Sequence, residues 1–219
     1  MNRQIKAALF DLDGVVFHTE PQYTVYWRKE CQRYFPEHEG MEMEIKGSTL
    51  QQILSKFFVG NLEAERVPLI ERLNAFERDM DYPYVEGFED FLRLLRGKGI
   101  LTAIVTSSNQ QKMEQVYQRH PAFKGMFDAI LTAEDFAESK PHPDCYLRAA
   151  EKLSLTPHEC VVFEDSFNGI RSGRAAGMMV VGLATTNDIS AIQPLCDRVI
   201  PDYRCAEMKK IVDIFGGIE

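Results

Sequence analysis

The stretch ALFDLDGVVFHTE, residues 8–20, decides the fold of this chain. Its apolar start is typical of a buried strand, which ends abruptly at Asp11, with Asp13 and Gly14 close behind. Carboxylates this close repel each other, and a divalent cation such as Mg²⁺, which prefers oxygen ligands, removes that repulsion. A polar strand end capped by a turn explains the same residues, so this stretch alone leaves both interpretations open.

Short apolar runs with the composition of buried strands recur along the chain. They are Ile5–Phe10, Ile100–Val105, Asp128–Leu131, Cys160–Phe163 and Met178–Leu183. Segments with helical periodicity lie between them, at Gly87–Arg96, Gln110–Arg119, Asp144–Leu153 and Asn168–Ala176. Alternating strands and helices predict an α/β fold, a Rossmann-like parallel sheet with helices on both faces.

The alternation fails directly after the first strand. The pattern there predicts only helices, at Tyr23–Tyr34, Thr49–Phe58 and Leu69–Met80. We therefore expect a core domain of residues 1–17 and 84–219, and a small helical cap of residues 18–83, called the helical insert below. An insert at this point lies over the carboxyl edge of the sheet, where open α/β sheets bind ligands.

Composition excludes several classes of function. The net charge is −8 and no basic run is longer than Lys209-Lys210, so general binding to nucleic acid or to an anionic membrane is excluded. No apolar stretch approaches the roughly 20 residues of a membrane span. Because Asp11 interrupts the first apolar run too early for a signal peptide, and the cysteines are scattered, we expect a cytoplasmic protein with reduced thiols.

Two later stretches carry groups that suit a phosphate. IVTSSN, residues 104–109, ends a strand and opens a helix, so Thr106 and Ser107 either donate to phosphate oxygens or only cap the helix. ESKPHPD, residues 138–144, holds Lys140 in a proline-rich turn. That lysine is either a fixed cation for phosphate or an ordinary solvated charge.

A third stretch repeats the logic of the first. VVFEDSFNGI, residues 161–170, contains a buried strand that ends in Glu164 and Asp165 and is followed by the start of a helix. A second acidic pair at a strand end is poorly explained by capping alone. If both acidic strand ends meet at one edge of the sheet, they form an oxygen-rich metal site.

Taken in order, these stretches resemble the four motifs of the haloacid dehalogenase superfamily, specifically its β-phosphoglucomutase-like phosphatases. The matching residues are the sequence DLDGV, Thr106, Lys140 and the Glu164-Asp165 pair. The helical insert stands where the type C1 cap of that family belongs, and the resemblance covers essentially the whole chain. It implies a Mg²⁺-dependent phosphatase that hydrolyses a small organic phosphate monoester, a sugar phosphate, through an aspartyl-phosphate. Dehalogenation is not implied, because dehalogenases do without a metal.

The resemblance also implies roles for individual residues. Asp11 is implied as the nucleophile, and Asp13 as the general acid for the leaving alcohol and then the base for water. Thr106 and Lys140 are implied to bind the transferring phosphoryl group. The implied Mg²⁺ ligands are the side chains of Asp11, Glu164 and Asp165. The backbone carbonyl of Asp13 is implied as a further ligand.

A β-phosphoglucomutase, which interconverts β-glucose 1-phosphate and glucose 6-phosphate, is the alternative. The Lys46-Gly47 pair matches the mutase cap loop, but Tyr23 replaces a mutase histidine, and Leu50 replaces the arginine that grips the second phosphate. Leucine cannot replace a bidentate arginine, so the pattern favours a phosphatase unless Lys46, Arg28 or Lys29 substitutes.

The remaining expectations concern the substrate and partners. The candidate contacts with substrate are Ser107, Lys46, Gly47, Ser48, Tyr23 and Trp27. The expected partner is a small phosphorylated metabolite, and a monomer is expected because a cap must open and close. A phosphate sensor without catalysis is disfavoured, since pure binding would not require Asp13.

Overall fold

Six parallel strands form a single sheet in the computed structural model, which describes residues 5–205 and 208–215. The strands are β1 Ala7–Phe10, β2 Leu101–Val105, β3 Ala129–Leu131, β4 Cys160–Glu164, β5 Met179–Leu183 and β6 Arg198–Ile200. Their order across the sheet is β3-β2-β1-β4-β5-β6, and neighbouring strands pair in parallel throughout. The predicted α/β fold is therefore confirmed.

Helices connect the strands and form the insert. They are α1 Glu20–Tyr34, α2 Met41–Glu44, α3 Leu50–Phe57, α4 Arg66–Asp79, α5 Phe88–Gly97, α6 Gln110–Arg119, α7 Asp144–Lys152, α8 Phe167–Ala175, α9 Ile189–Ile192 and α10 Met208–Ile214. Within the described residues, no helix combines the length and the apolar character needed to cross a membrane.

Several elements differ from the sequence-based expectation. The strand β6 was not predicted, because it has only three residues and begins with an exposed arginine, so it does not form an apolar run. Helix α1 begins three residues earlier than predicted, and Pro21 lies in its first turn, where a missing N–H costs no helical hydrogen bond. Helix α3 begins after Thr49, whose side chain forms a reciprocal capping box with Gln52.

The sheet has a packed apolar layer on each face. Along β1, Ala8 and Phe10 face a cluster that includes residues of α5 and α6, whereas Ala7 and Leu9 face a second cluster with residues of α7 and α8. A strand that is covered on both faces is apolar at every position, which is why β1 reads as a continuous run.

The insert has a hydrophobic cluster of its own. Its buried members are Cys31, Met41, Ile45, Ile53, Leu54, Phe58 and Leu69. The two places where the chain passes between core and insert lie side by side, since the His18 N–H donates to the Pro83 carbonyl at 2.8 Å.

The register explains why distant motifs meet. Phe10 of β1 pairs with Ile104 of β2 on one side and with Phe163 of β4 on the other. The residues that follow these three positions therefore emerge together at the carboxyl edge of the sheet. Because the chain leaves β1 toward β2 and returns to β4 on its other side, this edge is the switch point at which such sheets bind ligands.

Candidate active site

Three carboxylates meet at the carboxyl edge of the sheet. Asp11 follows β1, Glu164 ends β4 and Asp165 follows it, and each contributes an oxygen atom to a group whose members all lie within 4.8 Å of one another. Glu164 and Asp165 are buried, and the Asp11 side chain is 13% exposed. A compact set of carboxylate oxygens fits a hard divalent cation such as Mg²⁺, so the residues present are suitable for the metal that the motifs imply.

Lys140 lies directly beneath this cluster. Its side chain is only 1% exposed, and its ammonium donates to Asp11 Oδ1 and Glu164 Oε1, both at 2.6 Å, and to the Val105 carbonyl at 3.0 Å. Burial lowers the pKa of Lys140, but the carboxylates of Asp11 and Glu164 outweigh this effect and hold the pKa above its ordinary value. Lys140 is thus a fixed cation rather than a solvated surface charge.

The surroundings of Asp11 also change its own acidity. Burial raises the pKa of Asp11 to about 7, with further increases from the charges of Glu164 and Asp13, although Lys140 acts in the opposite direction. The cluster of Asp11, Glu164 and Asp165 has three carboxylates against the single ammonium of Lys140, and a divalent cation would balance the excess of negative charge.

Glu164 is held by a set of donors that the sequence did not reveal. The Tyr146 hydroxyl donates to Oε1 at 2.9 Å, while Oε2 accepts the backbone N–H of Asp165 at 3.1 Å and the Ser166 hydroxyl at 3.2 Å. Gly169 makes room for this carboxylate, because a Cβ at that position would lie 1.7 Å from Oε1. The Asn-Gly start of α8 therefore accommodates a buried acid as well as forming a turn.

Asp165 is fixed by the loop after β5. The Thr186 hydroxyl donates to its Oδ2, and the Asn187 amide donates to its carbonyl at 2.9 Å. Gly14 approaches closely, since its φ is +77° and a Cβ there would lie 2.1 Å from Asp165 Oδ2. The glycine of DLDG is thus required both by backbone conformation and by the second acidic pair.

Asp13 borders the cleft and has three side-chain partners. The Thr19 hydroxyl donates to Oδ1 at 2.6 Å, the Ser108 hydroxyl donates to Oδ2 at 3.2 Å, and the Lys112 ammonium forms an ion pair with Oδ2. Thr19 occupies the N-cap position of α1, but its side chain makes no capping bond there, since it serves Asp13 instead. The sequence reasoning missed Lys112, because a lysine in a helix is ordinarily a solvated charge.

The TSSN turn joins core and insert. Thr106 is buried at the end of β2, and its hydroxyl accepts the Ser108 N–H at 3.0 Å, which leaves its own proton available to an oxygen in the cleft. The Ser107 hydroxyl donates to the Gly47 carbonyl at 3.2 Å. Asn109 caps α6 by accepting the Lys112 N–H at 2.9 Å.

A cleft of about 590 Å³ separates the insert from the core. Of the residues proposed from sequence, those that line the cleft are Asp11, Asp13, Thr106, Ser107, Asp165, Lys46, Gly47, Ser48, Tyr23 and Trp27, whereas Lys140 and Glu164 lie beneath its floor. The Lys46 ammonium pairs with Glu20 at 2.5 Å, and its carbonyl accepts from the Asn168 amide at 3.0 Å. The bond from Asn168 thus fastens the loop that carries Lys46 and Gly47 to the core.

A family model for haloacid dehalogenase-like hydrolases matches residues 5–177. This chain belongs to that family. It is therefore an enzyme of the hydrolase class that the four motifs indicated, and the resemblance found in the sequence is confirmed.

Curated relatives of this HAD-like hydrolase carry the names of phosphatases. The validoxylamine A 7'-phosphate phosphatase of Streptomyces hygroscopicus subsp. limoneus is 28% identical over 85% of this chain and 89% of its own length. The phosphorylated carbohydrates phosphatase of Thermotoga maritima is 27% identical over 80% of this chain and 82% of its own. The bifunctional riboflavin kinase/FMN phosphatase of Arabidopsis thaliana is 27% identical over 88% of this chain, which spans only 52% of that protein.

Solved structures of the family share the fold, including its cap. The β-phosphoglucomutase of Clostridium difficile superposes with a TM-score of 0.75 over 97% of this HAD-like hydrolase and 98% of its own chain, at 22% identity. A likeness at that identity establishes the architecture, a parallel sheet with a helical cap inserted after the first strand.

Proposed function

We propose that this HAD-like hydrolase is a Mg²⁺-dependent phosphatase that hydrolyses a small phosphate monoester, a sugar phosphate, through an aspartyl-phosphate on Asp11. One observation carries the proposal: Asp11 lies at the floor of the cleft, with Lys140 at 2.6 Å on one side and the oxygens of Glu164 and Asp165 within 4.8 Å. A nucleophile beside a fixed ammonium and a candidate cation site suits phosphoryl transfer, which depends on positioning and charge neutralisation.

The proposed reaction has two steps. An Asp11 oxygen bonds to phosphorus as the bond from phosphorus to the ester oxygen breaks, and protonated Asp13 gives its proton to that oxygen. A water molecule then gives a proton to the Asp13 carboxylate while its oxygen bonds to phosphorus, and the bond to Asp11 breaks. Inorganic phosphate leaves and both aspartates return to their starting states, so one difficult hydrolysis becomes two easier steps.

The other motif residues stabilise the transferring group. Lys140 offers its charge beside Asp11, and the Thr106 hydroxyl, whose oxygen already accepts from Ser108, offers a donor. Asp11, Asp165 and the Asp13 carbonyl, with Glu164 beside them, would hold Mg²⁺, which would neutralise charge on the phosphoryl oxygens.

The cations of the insert favour a phosphatase over a mutase. A mutase must bind a second phosphate, but Lys46 pairs with Glu20 at 2.5 Å and Arg28 pairs with Glu42 at 3.0 Å. Lys29 is exposed on α1, and Leu50, at the position of the mutase arginine, lines the cleft with an apolar side chain. The three candidate replacements for that arginine, Lys46, Arg28 and Lys29, are thus already paired or lie outside the cleft.

The substrate class follows from the cleft and the relatives together. The cleft combines Trp27 and Ile70 with polar groups such as Gln52, a mixture that suits the apolar and hydroxyl faces of a sugar. Two relatives are named for phosphorylated carbohydrates and for validoxylamine A 7'-phosphate, which supports a carbohydrate-like leaving group.

We also propose that residues 18–83 act as a cap over the core, and that the protein is a cytoplasmic monomer. The separate hydrophobic cluster of the insert supports the first proposal. Size-exclusion chromatography with light scattering tests the monomer.

Phosphorus NMR of the purified protein with Mg²⁺ and a panel of sugar phosphates tests the proposed function. β-Glucose 1-phosphate belongs in the panel, with and without a glucose bisphosphate primer. We expect inorganic phosphate to form, and its formation to stop in Asp11→Asn or after chelation of the metal. Conversion of the 1-phosphate to the 6-phosphate without release of phosphate would instead establish a mutase.

A further inference from the structure

Lys112 is one of two buried lysines among the side chains that the structure describes, and the other is Lys140. Each forms an ion pair with one aspartate of the DLDG motif, Lys140 with Asp11 and Lys112 with Asp13. Lys112 lies in the first turn of α6, and its side chain is 3% exposed although it borders the cleft.

Such burial is costly for an ammonium, and stability gives little reason to keep it. Removing an ammonium from water carries a desolvation penalty, and replacing a buried ion pair with apolar residues is often neutral or stabilising. The ammonium also lies 4.5 Å from the centroid of the Tyr23 ring, and the Tyr23 hydroxyl donates to Glu77 at 2.8 Å. Lys112 is thus held between the core aspartate and the first helix of the insert.

The partners of Asp13 differ in what they constrain. The Thr19 hydroxyl holds Oδ1, whereas Ser108 at 3.2 Å and Lys112 both hold Oδ2. Without Lys112, the oxygen Oδ2 would keep only the 3.2 Å bond from the neutral Ser108 hydroxyl and would lose the one donor to Asp13 that carries a positive charge. The position of Oδ2 therefore depends chiefly on Lys112.

We propose that Lys112 is a positioning residue that orients Asp13 for proton transfer to the leaving oxygen. The proposal rests on the proposed function. In the first step Asp13 loses its proton to the ester oxygen as the bond to phosphorus breaks, and it becomes a carboxylate beside the Lys112 ammonium. A cation already in place stabilises the charge that develops there.

Leaving-group dependence separates this role from a merely structural one. A nitrophenolate departs without being protonated, whereas an alkoxide requires a proton from the acid. We would measure kcat/KM, which reports steps through the first phosphoryl transfer, with p-nitrophenyl phosphate and with the sugar phosphate of the panel that the wild-type protein hydrolyses best. The ratio of the two values within one protein sample is independent of the folded fraction.

We expect Lys112→Met and Lys112→Gln to lower the ratio of kcat/KM for the sugar phosphate to kcat/KM for p-nitrophenyl phosphate about tenfold or more, since general acids contribute about 10²–10⁴-fold. Lys112→Arg, which keeps the charge, should recover part of the ratio. Lys152→Met, the same substitution at an exposed position of α7, should leave the ratio unchanged.

Equal losses with both substrates, or no loss, would overturn the role of Lys112 while leaving the proposed function intact. If Lys112→Arg folds but Lys112→Met and Lys112→Gln do not, then Lys112 is required for folding. That result would also overturn the proposal. A wild-type protein that hydrolyses neither p-nitrophenyl phosphate nor any sugar phosphate of the panel would overturn the proposed function itself.

Discussion

The Lys140 ammonium lies 2.6 Å from Asp11 Oδ1, although the two residues are 129 positions apart in the chain. The same ammonium donates to Glu164 Oε1 at 2.6 Å, so one buried cation joins the first, third and fourth motifs. Removing it would leave two buried carboxylates next to each other without a compensating charge.

Lys140→Met should therefore be destabilised and inactive. Removing one partner of a buried ion pair costs about 3–5 kcal/mol, so we expect a fall of that size in the free energy of unfolding at neutral pH. Urea denaturation measures it, with the exposed Lys152→Met as the matched control. A Lys140→Met protein as stable as the control would show that Asp11 and Glu164 do not depend on this ammonium.

The acidity of Asp11 predicts how stability varies with pH in metal-free protein. Its pKa is about 7 in the folded state against 3.8 for an ordinary aspartate, chiefly because of burial. Between pH 3.8 and about 7, the folded state therefore binds more protons than the unfolded state. The stabilisation from protonated Asp11 is fully present below pH 3.8 and is lost as the pH rises through about 7. With EDTA present, denaturation should be easier near pH 8 than near pH 5.

Asp11→Asn is the control for that pH dependence. Burial also raises the pKa of Asp165, Glu20 and Glu77, so part of the pH dependence should persist in the variant. Added Mg²⁺ should restore stability to the wild type near pH 8, because a ligand of the folded state alone stabilises it. A variant with the same pH dependence as the wild type would exclude Asp11 as the titrating group.

Gly169 and Gly97 form a matched pair for testing the support of Glu164. In Gly169→Ala the new Cβ would lie 1.7 Å from Glu164 Oε1, so the carboxylate must move. We expect the free energy of unfolding to fall by about 1–3 kcal/mol. We also expect weaker Mg²⁺ binding, measured by calorimetry. Gly97 ends α5 with nothing within 4 Å, so Gly97→Ala should be stabilised by about 0.5–1 kcal/mol. Unchanged Mg²⁺ affinity in Gly169→Ala would show that the position of Glu164 does not matter for Mg²⁺ binding.

Much of the site could be predicted because parallel strands share an edge. Once β1 and β4 are recognised as strands, the residues after them must emerge together, and the ordered motifs then identify Asp11, Lys140 and Asp165. The insert was equally clear, since helical periodicity replaces strands over a continuous stretch.

The supporting contacts could not be predicted, because their signals are not local. Lys112 sits in QQKM, which resembles any exposed helical turn, and its partner Asp13 is 99 positions away. Tyr146 reads as an apolar core residue, and only the fold brings its hydroxyl to Glu164. The strand β6 is too short, and too exposed at its start, to produce a recognisable pattern.

Trapping the phosphorylated enzyme would show directly whether Asp11 is the nucleophile. The protein would be mixed with Mg²⁺ and its best sugar phosphate, quenched in acid during turnover, and digested for mass spectrometry. We predict one phosphoryl group on the peptide that contains residues 8–20, located at Asp11 and lost in Asp11→Asn. Turnover that persists in Asp11→Asn, or a phosphoryl group on another residue, would show that Asp11 is not the nucleophile.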